Sequence, residues 1–170
     1  MKKILSEIIF NVLGWKIIGI NSFPDKCLVI GAPHTSNWDF LIGRCYGYIL
    51  GVNAKYLIKS ELFFPVFGFL LKMNGAIPVY RHSKNNVVDQ IVALYNNRDK
   101  FILGMSPEGT RKKVKRWKTG FYYIAKKANI PILILRIDYK KREIGIVNKM
   151  NVSNDFNQDM MFIQKHFNKS

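Results

Sequence analysis

The chain is 170 residues long, 48% hydrophobic and 14% aromatic. That length suits one domain with a sizeable core, and the composition excludes disordered and collagen-like classes. Its 27 Lys and Arg stand against 11 Asp and Glu, a formal net charge of +16, which calls for an anionic partner: nucleic acid, an anionic membrane or a phosphate-bearing substrate. The two cysteines, Cys27 and Cys45, are too few for a disulfide scaffold or a Cys-based zinc site. They read as small buried hydrophobes in a reducing compartment.

Residues 1–20 begin Met1-Lys2-Lys3 and set Ile4, Leu5, Ile8, Ile9, Val12 and Leu13 at helical spacing on one face. Glu7 and Asn11 interrupt the apolar region and no small-x-small site follows, which argues against a secretory signal. Glu7 and Lys16 make a spanning helix costly. The expectation is an amphipathic helix within residues 1–22, ahead of a main unit over 23–170 in a single-domain chain. That helix either packs on the core or lies in a lipid interface, where Lys2, Lys3, Trp15 and Lys16 suit the headgroup level.

Beyond it, short apolar or β-branched runs at 26–30, 54–58, 76–80, 101–105, 131–137 and 143–147 are bounded by Gly, Pro, Asn or Asp and predict strands. Between and after them, 38–50, 61–72, 84–97, 118–128 and 154–167 predict helices. The alternation argues for an α/β fold: a mostly parallel central sheet flanked by helices. Ligands then sit beyond the carboxyl ends of the strands.

Three strand ends carry chemistry. After 26–30 comes Gly31-Ala32-Pro33-His34-Thr35-Ser36-Asn37-Trp38-Asp39. A helix beginning near Ser36 or Asn37 would bring the Asp39 carboxylate back toward the His34 imidazole, fixing its tautomer and leaving Nε2 as a general base. The alternative is that Asp39 caps the helix and His34 is a loop residue. After 76–80 comes Arg81, able to hold a phosphate bidentately or to serve as a surface cation. After 101–105 comes Ser106-Pro107-Glu108-Gly109-Thr110-Arg111, where Gly109 permits close backbone approach and Thr110 and Arg111 offer donors to an anion. Glu108 either orients Arg111 or meets a polar group of the substrate.

Taken together these segments resemble the glycerolipid acyltransferase family, whose best-known members are lysophosphatidic acid (1-acylglycerol-3-phosphate) acyltransferases. His34 and Asp39 meet its His-x-x-x-x-Asp motif, Gly75 and Arg81 its Gly-x-x-x-x-x-Arg motif, and Pro107 to Arg111 its Phe-Pro-Glu-Gly-Thr-Arg-Ser motif. Ile130-Pro131-Ile132-Leu133 meets part of its fourth. Ser106 and Lys112 stand where the family usually has Phe and Ser, and a second Pro is missing from the fourth motif.

The resemblance implies acyl transfer from acyl-CoA or acyl carrier protein to a lysophospholipid hydroxyl, in phospholipid biosynthesis. His34 would be the general base and Asp39 its orienter, with Arg81, Glu108, Gly109, Thr110 and Arg111 binding the acceptor. The substrate supplies the nucleophile, so no acyl-enzyme and no Gly-x-Ser-x-Gly elbow is needed. No cofactor is implied. No metal is expected either, since His34, His82 and His166 show no ligand spacing.

Two further segments bear on partners. Residues 62–71, Leu-Phe-Phe-Pro-Val-Phe-Gly-Phe-Leu-Leu, are a buried helix, a membrane-dipping surface or a wall for an acyl chain. Residues 111–118 hold six cations in eight positions. Their place directly after the phosphate-type turn favours an anionic membrane surface or a donor's phosphates over nucleic acid. The expected setting is the cytoplasmic face of a membrane. Other acceptors (ornithine, sugar or other lysolipids) and a non-catalytic basic binding module are the alternatives.

Overall fold

A computed structural model describes residues 1–32, 36–80, 86–109, 114, 116–153 and 155–167. The leading apolar stripe forms helix α1 (Lys2–Leu13). It spans the whole apolar stripe but stops short of residue 22 because Gly14 takes the left-handed conformation, φ 68°, and its N–H and that of Trp15 close the last turn on Asn11 and Phe10 carbonyls. Residues 16–19, expected within the leading helix, are instead strand β1 (Lys16–Gly19) of the main sheet. Ser6 and Phe10 face inward, whereas Ile4, Leu5, Ile8 and Val12 are exposed. The helix therefore packs on the domain with one face and shows water an apolar one.

The remaining elements alternate strand and helix except for the last two strands, which follow each other directly. They are β2 (Lys26–Gly31), α2 (Asn37–Ile49), β3 (Lys55–Lys59), α3 (Pro65–Met73), β4 (Ala76–Val79), α4 (Val87–Asn96), β5 (Phe101–Met105), α5 (Gly120–Ala128), β6 (Ile132–Asp138), β7 (Glu143–Met150) and α6 (Phe156–Lys165). The helix expected over 61–72 is split: a 3₁₀ turn, Ser60–Leu62, precedes α3, which opens on Pro65 at a position where a missing N–H costs nothing.

Among the described residues seven strands form one sheet in the order β1-β7-β6-β2-β5-β3-β4. The five from β6 to β4 are mutually parallel, β7 runs antiparallel to β6, and β1 is parallel to β7. The exception has a simple cause. Only residues 139–142 separate β6 from β7, too few for the crossover that a parallel pair requires. Gly145 lets β1 approach β7: a Cβ there would fall on the carbonyl oxygen of Ile18.

The central strands are covered on both faces, which is why β2 reads Cys-Leu-Val-Ile with all four buried. Leu28, Ile30, Leu103, Ile132 and Ile134 meet α4, α5 and α6 through Tyr95, Tyr122 and Ile163. Cys27, Val29, Leu133, Ile144 and Ile146 meet α1 and α2 through Phe10, Ile42 and Tyr46. α3 lies on the α2 side, where its C-cap Asn74 is bonded to Arg44. Among the described residues no helix is long and apolar enough to cross a membrane.

Candidate active site

The carboxyl ends of β2 and β5 lie side by side, since Ile30 pairs with Met105. The segments that follow, toward Asp39 and toward Glu108, therefore leave from one edge of the sheet. β4 ends two places further along the same edge, and its Val79 directly precedes Tyr80 and Arg81. The three motif-bearing segments thus start at one rim, as an open parallel sheet dictates.

Asp39 is held closely. Ser36 is the N-cap of α2, with extended backbone at φ −140°. Its hydroxyl accepts from the Trp38 N–H at 3.2 Å, and its own N–H donates to Asp39 Oδ2 at 2.8 Å, forming a capping box. Asp39 sits in the first turn, where the helix dipole favours a negative charge. Its second oxygen, Oδ1, accepts from the Tyr139 hydroxyl at 2.6 Å. The side chain is 7% exposed. Desolvation first, then the hydrogen bond to Asp39 and its charge, push the Tyr139 phenol well above its usual range. Tyr139 stands in the turn after β6 and is itself braced edge-on by Trp15, ring centres 5.3 Å apart.

The capping role foreseen for Asp39 is therefore present. It coexists with an anchored, nearly buried carboxylate at the rim. Tyr139 was not foreseen: it lies 100 residues from Asp39, and nothing local sets it apart from the other seven tyrosines of the chain. The Ser36 cap did leave a signal, because Ser-x-x-Asp before an apolar helix is the capping pattern.

At the neighbouring strand end the chain turns tightly. The Gly109 N–H donates to the Ser106 carbonyl at 3.2 Å, the Glu108 N–H to the Ser106 hydroxyl at 3.3 Å, and the Lys118 N–H to the Pro107 carbonyl at 2.8 Å. Gly109 has φ 62°, and a Cβ there would run into Lys118 at 2.9–3.1 Å. Glycine takes that left-handed backbone without strain and leaves room for the lysine stem lying over it. Glu108 is 9% exposed. Of the other residues singled out by sequence, His34, Arg81, His82, Thr110 and Arg111 lie outside the described residues, as do Lys112, Lys113 and Lys115 of the basic run.

Asp39 and Gly109 line one open groove of about 1380 Å³. From the rim it extends between α2 and α3 over β3, with Phe40, Gly43, Tyr56 and Leu71 among its walls and Lys59 and Lys118 contributing cations. Gly43 leaves it unfilled: a Cβ at that position would meet nothing within 4 Å. A carboxylate fixed at the mouth of a long apolar trough suits chemistry on a polar group that carries a hydrocarbon tail.

Comparison with known proteins agrees. Residues 15–138 match the family model described as "Acyltransferase". Two curated proteins, the 1-acyl-sn-glycerol-3-phosphate acyltransferases of Salmonella typhimurium and Salmonella typhi, are each 25% identical to the chain over 125 residues, 71% of this chain and 50% of theirs. The chain thus spans about half the length of the curated relatives it matches. In structure it resembles the crystal structure of the 1-acyl-sn-glycerophosphate (LPA) acyltransferase PlsC from Thermotoga maritima, with a TM-score of 0.67 at 16% identity, covering 97% of this chain and 74% of that one. That likeness extends the agreement to the fold. Because the family model takes in most of the chain, from β1 to the end of β6, the chain belongs to the acyltransferase family.

Proposed function

We propose that the chain transfers a fatty acyl group from a thioester, acyl-CoA or acyl carrier protein, to the hydroxyl of a lysophospholipid, 1-acylglycerol-3-phosphate foremost, as a step in building phospholipid. The observation that carries this reading is the Asp39 carboxylate, capped by Ser36 and held by Tyr139 at the mouth of the apolar groove. In the reaction His34 takes the acceptor's hydroxyl proton and the oxygen attacks the thioester carbonyl. The tetrahedral intermediate collapses with cleavage of the C–S bond, and the departing thiolate takes the proton back from the imidazolium. Asp39 orients the imidazole and stabilises its charged form. Arg81, Thr110 and Arg111 bind the acceptor's phosphate, with Glu108 orienting the guanidinium, and the groove between α2 and α3 takes the acyl chain. Each CH₂ so buried contributes about 0.8 kcal/mol.

The enzyme works at the cytoplasmic surface of a membrane. Exposed apolar side chains on α1 (Ile4, Leu5, Ile8, Val12) and α3 (Val66, Phe69, Leu70, Met73) support that placement, as does the net charge of +16.

The test is thiol release from a long-chain acyl-CoA across a panel of acceptors, with products read by mass spectrometry. Release dependent on 1-acylglycerol-3-phosphate, and lost in His34→Ala, is expected. Dependence on an ornithine or sugar lipid instead would reassign the acceptor. Undiminished transfer in His34→Ala would refute the mechanism.

A further inference from the structure

A second cleft lies at the other end of the helical layer. α2 descends from the rim that carries Asp39, so the residues after it, 51–53, reach the starting end of β3. There Lys2 and Lys3 of α1, Arg44 and Tyr48 of α2, Asn53, and Met73 at the end of α3 line an open cleft of about 330 Å³. This volume is within the range of small-ligand sites, roughly 300–1,000 Å³.

Its charge is unbalanced. The half-buried Arg44 guanidinium donates through Nη1 to the Ala54 carbonyl at 2.7 Å and through Nη2 to the Tyr48 hydroxyl at 2.6 Å and to Asn74 Oδ1 at 3.3 Å. All these acceptors are neutral. Among the described residues no carboxylate forms a salt bridge with it, and its Nε has no hydrogen-bond partner. The Tyr48 ring carries Arg44 at 4.7 Å from its centre and the Lys2 ammonium at 5.3 Å. The compensation among the described residues is Glu7, half-buried and 4.0 Å from Lys3, one carboxylate beside three cations. Partly burying a cation without a counter-charge is costly, and two cations gathered on one ring beside a third define a place for an anion.

The surroundings say which anion. Met73 is 66% exposed at the wall, and the outward apolar faces of α1 and α3 flank the cleft. A free phosphate gains nothing from those side chains. An anion attached to hydrocarbon gains from both parts of the surface at once. We propose that this cleft holds the phosphate of an anionic phospholipid of the bilayer, a lipid separate from the one reacting at the Asp39 rim. The inference rests on the membrane placement proposed above, not on the acyl transfer.

Flotation with vesicles tests it. Wild-type protein is compared on phosphatidylcholine alone and on phosphatidylcholine containing phosphatidylglycerol. Arg44 also ties α2 to Ala54 and Asn74, so the variant is Lys2→Gln/Lys3→Gln, whose side chains are exposed. A charge-matched control, Lys140→Gln/Lys141→Gln, removes two exposed lysines of the turn after β6. The expected result is an anionic-lipid-dependent affinity about tenfold weaker for the first variant and within about twofold of wild type for the control. Both variants keep the wild-type melting temperature. Equal losses in the two variants would mean diffuse attraction and would overturn the site. So would release of wild-type protein by millimolar inorganic phosphate at constant ionic strength, because the site would then be one for free phosphate. So, too, would the absence of any response to phosphatidylglycerol. Transfer assayed in parallel on detergent-dispersed substrate separates these outcomes from failure of the acyltransferase reading: it persists in both lysine variants whichever way the vesicles respond.

Discussion

Asp39 serves two purposes that substitution can separate. As a helix cap it works with Ser36; as a fixed carboxylate it depends on Tyr139. Ser36→Ala removes the cap's hydroxyl and keeps the N–H that holds Asp39 Oδ2. We expect a stability loss of about 1 kcal/mol by urea denaturation, with kcat little changed. Tyr139→Phe keeps the ring against Trp15 and removes one hydrogen bond to a charged group, worth about 1.5 kcal/mol. Turnover should fall about tenfold while KM for donor and acceptor stays near wild type, and the melting temperature should drop by a few degrees. A change in KM alone would place Tyr139 in substrate binding instead.

Cys27 gives a pH prediction of definite sign. Burial pushes its thiol from 9.0 up to about 12, with the Lys149 charge pulling slightly the other way. Between those values the unfolded chain has lost the proton and the native state keeps it, so stability falls as pH rises through that interval. Urea midpoints at pH 8 and pH 10.5 should show the loss, and Cys27→Ala should show a smaller one from a lower starting point.

The pairing of α2 with α3 over β3 makes the groove, and its depth depends on a helix that carries Gly43 and Gly47. Gly43→Ala meets no neighbour within 4 Å, so relief of backbone entropy should stabilise α2 by roughly 0.5–1 kcal/mol. Gly43→Leu should instead fill the trough. In competition assays with acyl-CoAs of graded length, preference should shift toward shorter chains while the fold, followed by circular dichroism, persists. Chain-length preference identical to wild type would put the acyl chain elsewhere.

At this level much of the architecture is legible in the sequence. Cys27 to Ile30 is a continuous apolar run because β2 is covered on both faces, and 101–105 was bounded correctly because Asp99 before it and Pro107 after it break regular structure. β1 was not legible. Lys16–Gly19 is too short a run to show a period of its own, and the left-handed turn at Gly14 is what separates it from α1.

The molecule as a whole is asymmetric. α4, α5 and α6 cover one sheet face and expose few large apolar side chains, Tyr123, Met161 and Phe162, whereas the opposite layer shows many more outward on α1 and α3. Phe69 and Leu70, 64% and 56% exposed, contribute little to the core, so Phe69→Ser/Leu70→Ser should leave the melting temperature nearly unchanged. The same pair should weaken binding to vesicles and raise solubility, measured by flotation and by light scattering. Unchanged flotation would remove α3 from the proposed membrane contact.

Motif spacing, alternation of periodicities and net charge are local or additive properties. They were therefore enough to indicate the family and the α/β class. The grip of Tyr139 on Asp39 across 100 residues, the reversed direction of β7 and β1, the gap beside Gly43 and the meeting of Lys2 with Arg44 over one ring depend on distant segments packing against each other. No period within the chain encodes such encounters; they exist only once burial of the two core faces has set helices and strands in their places.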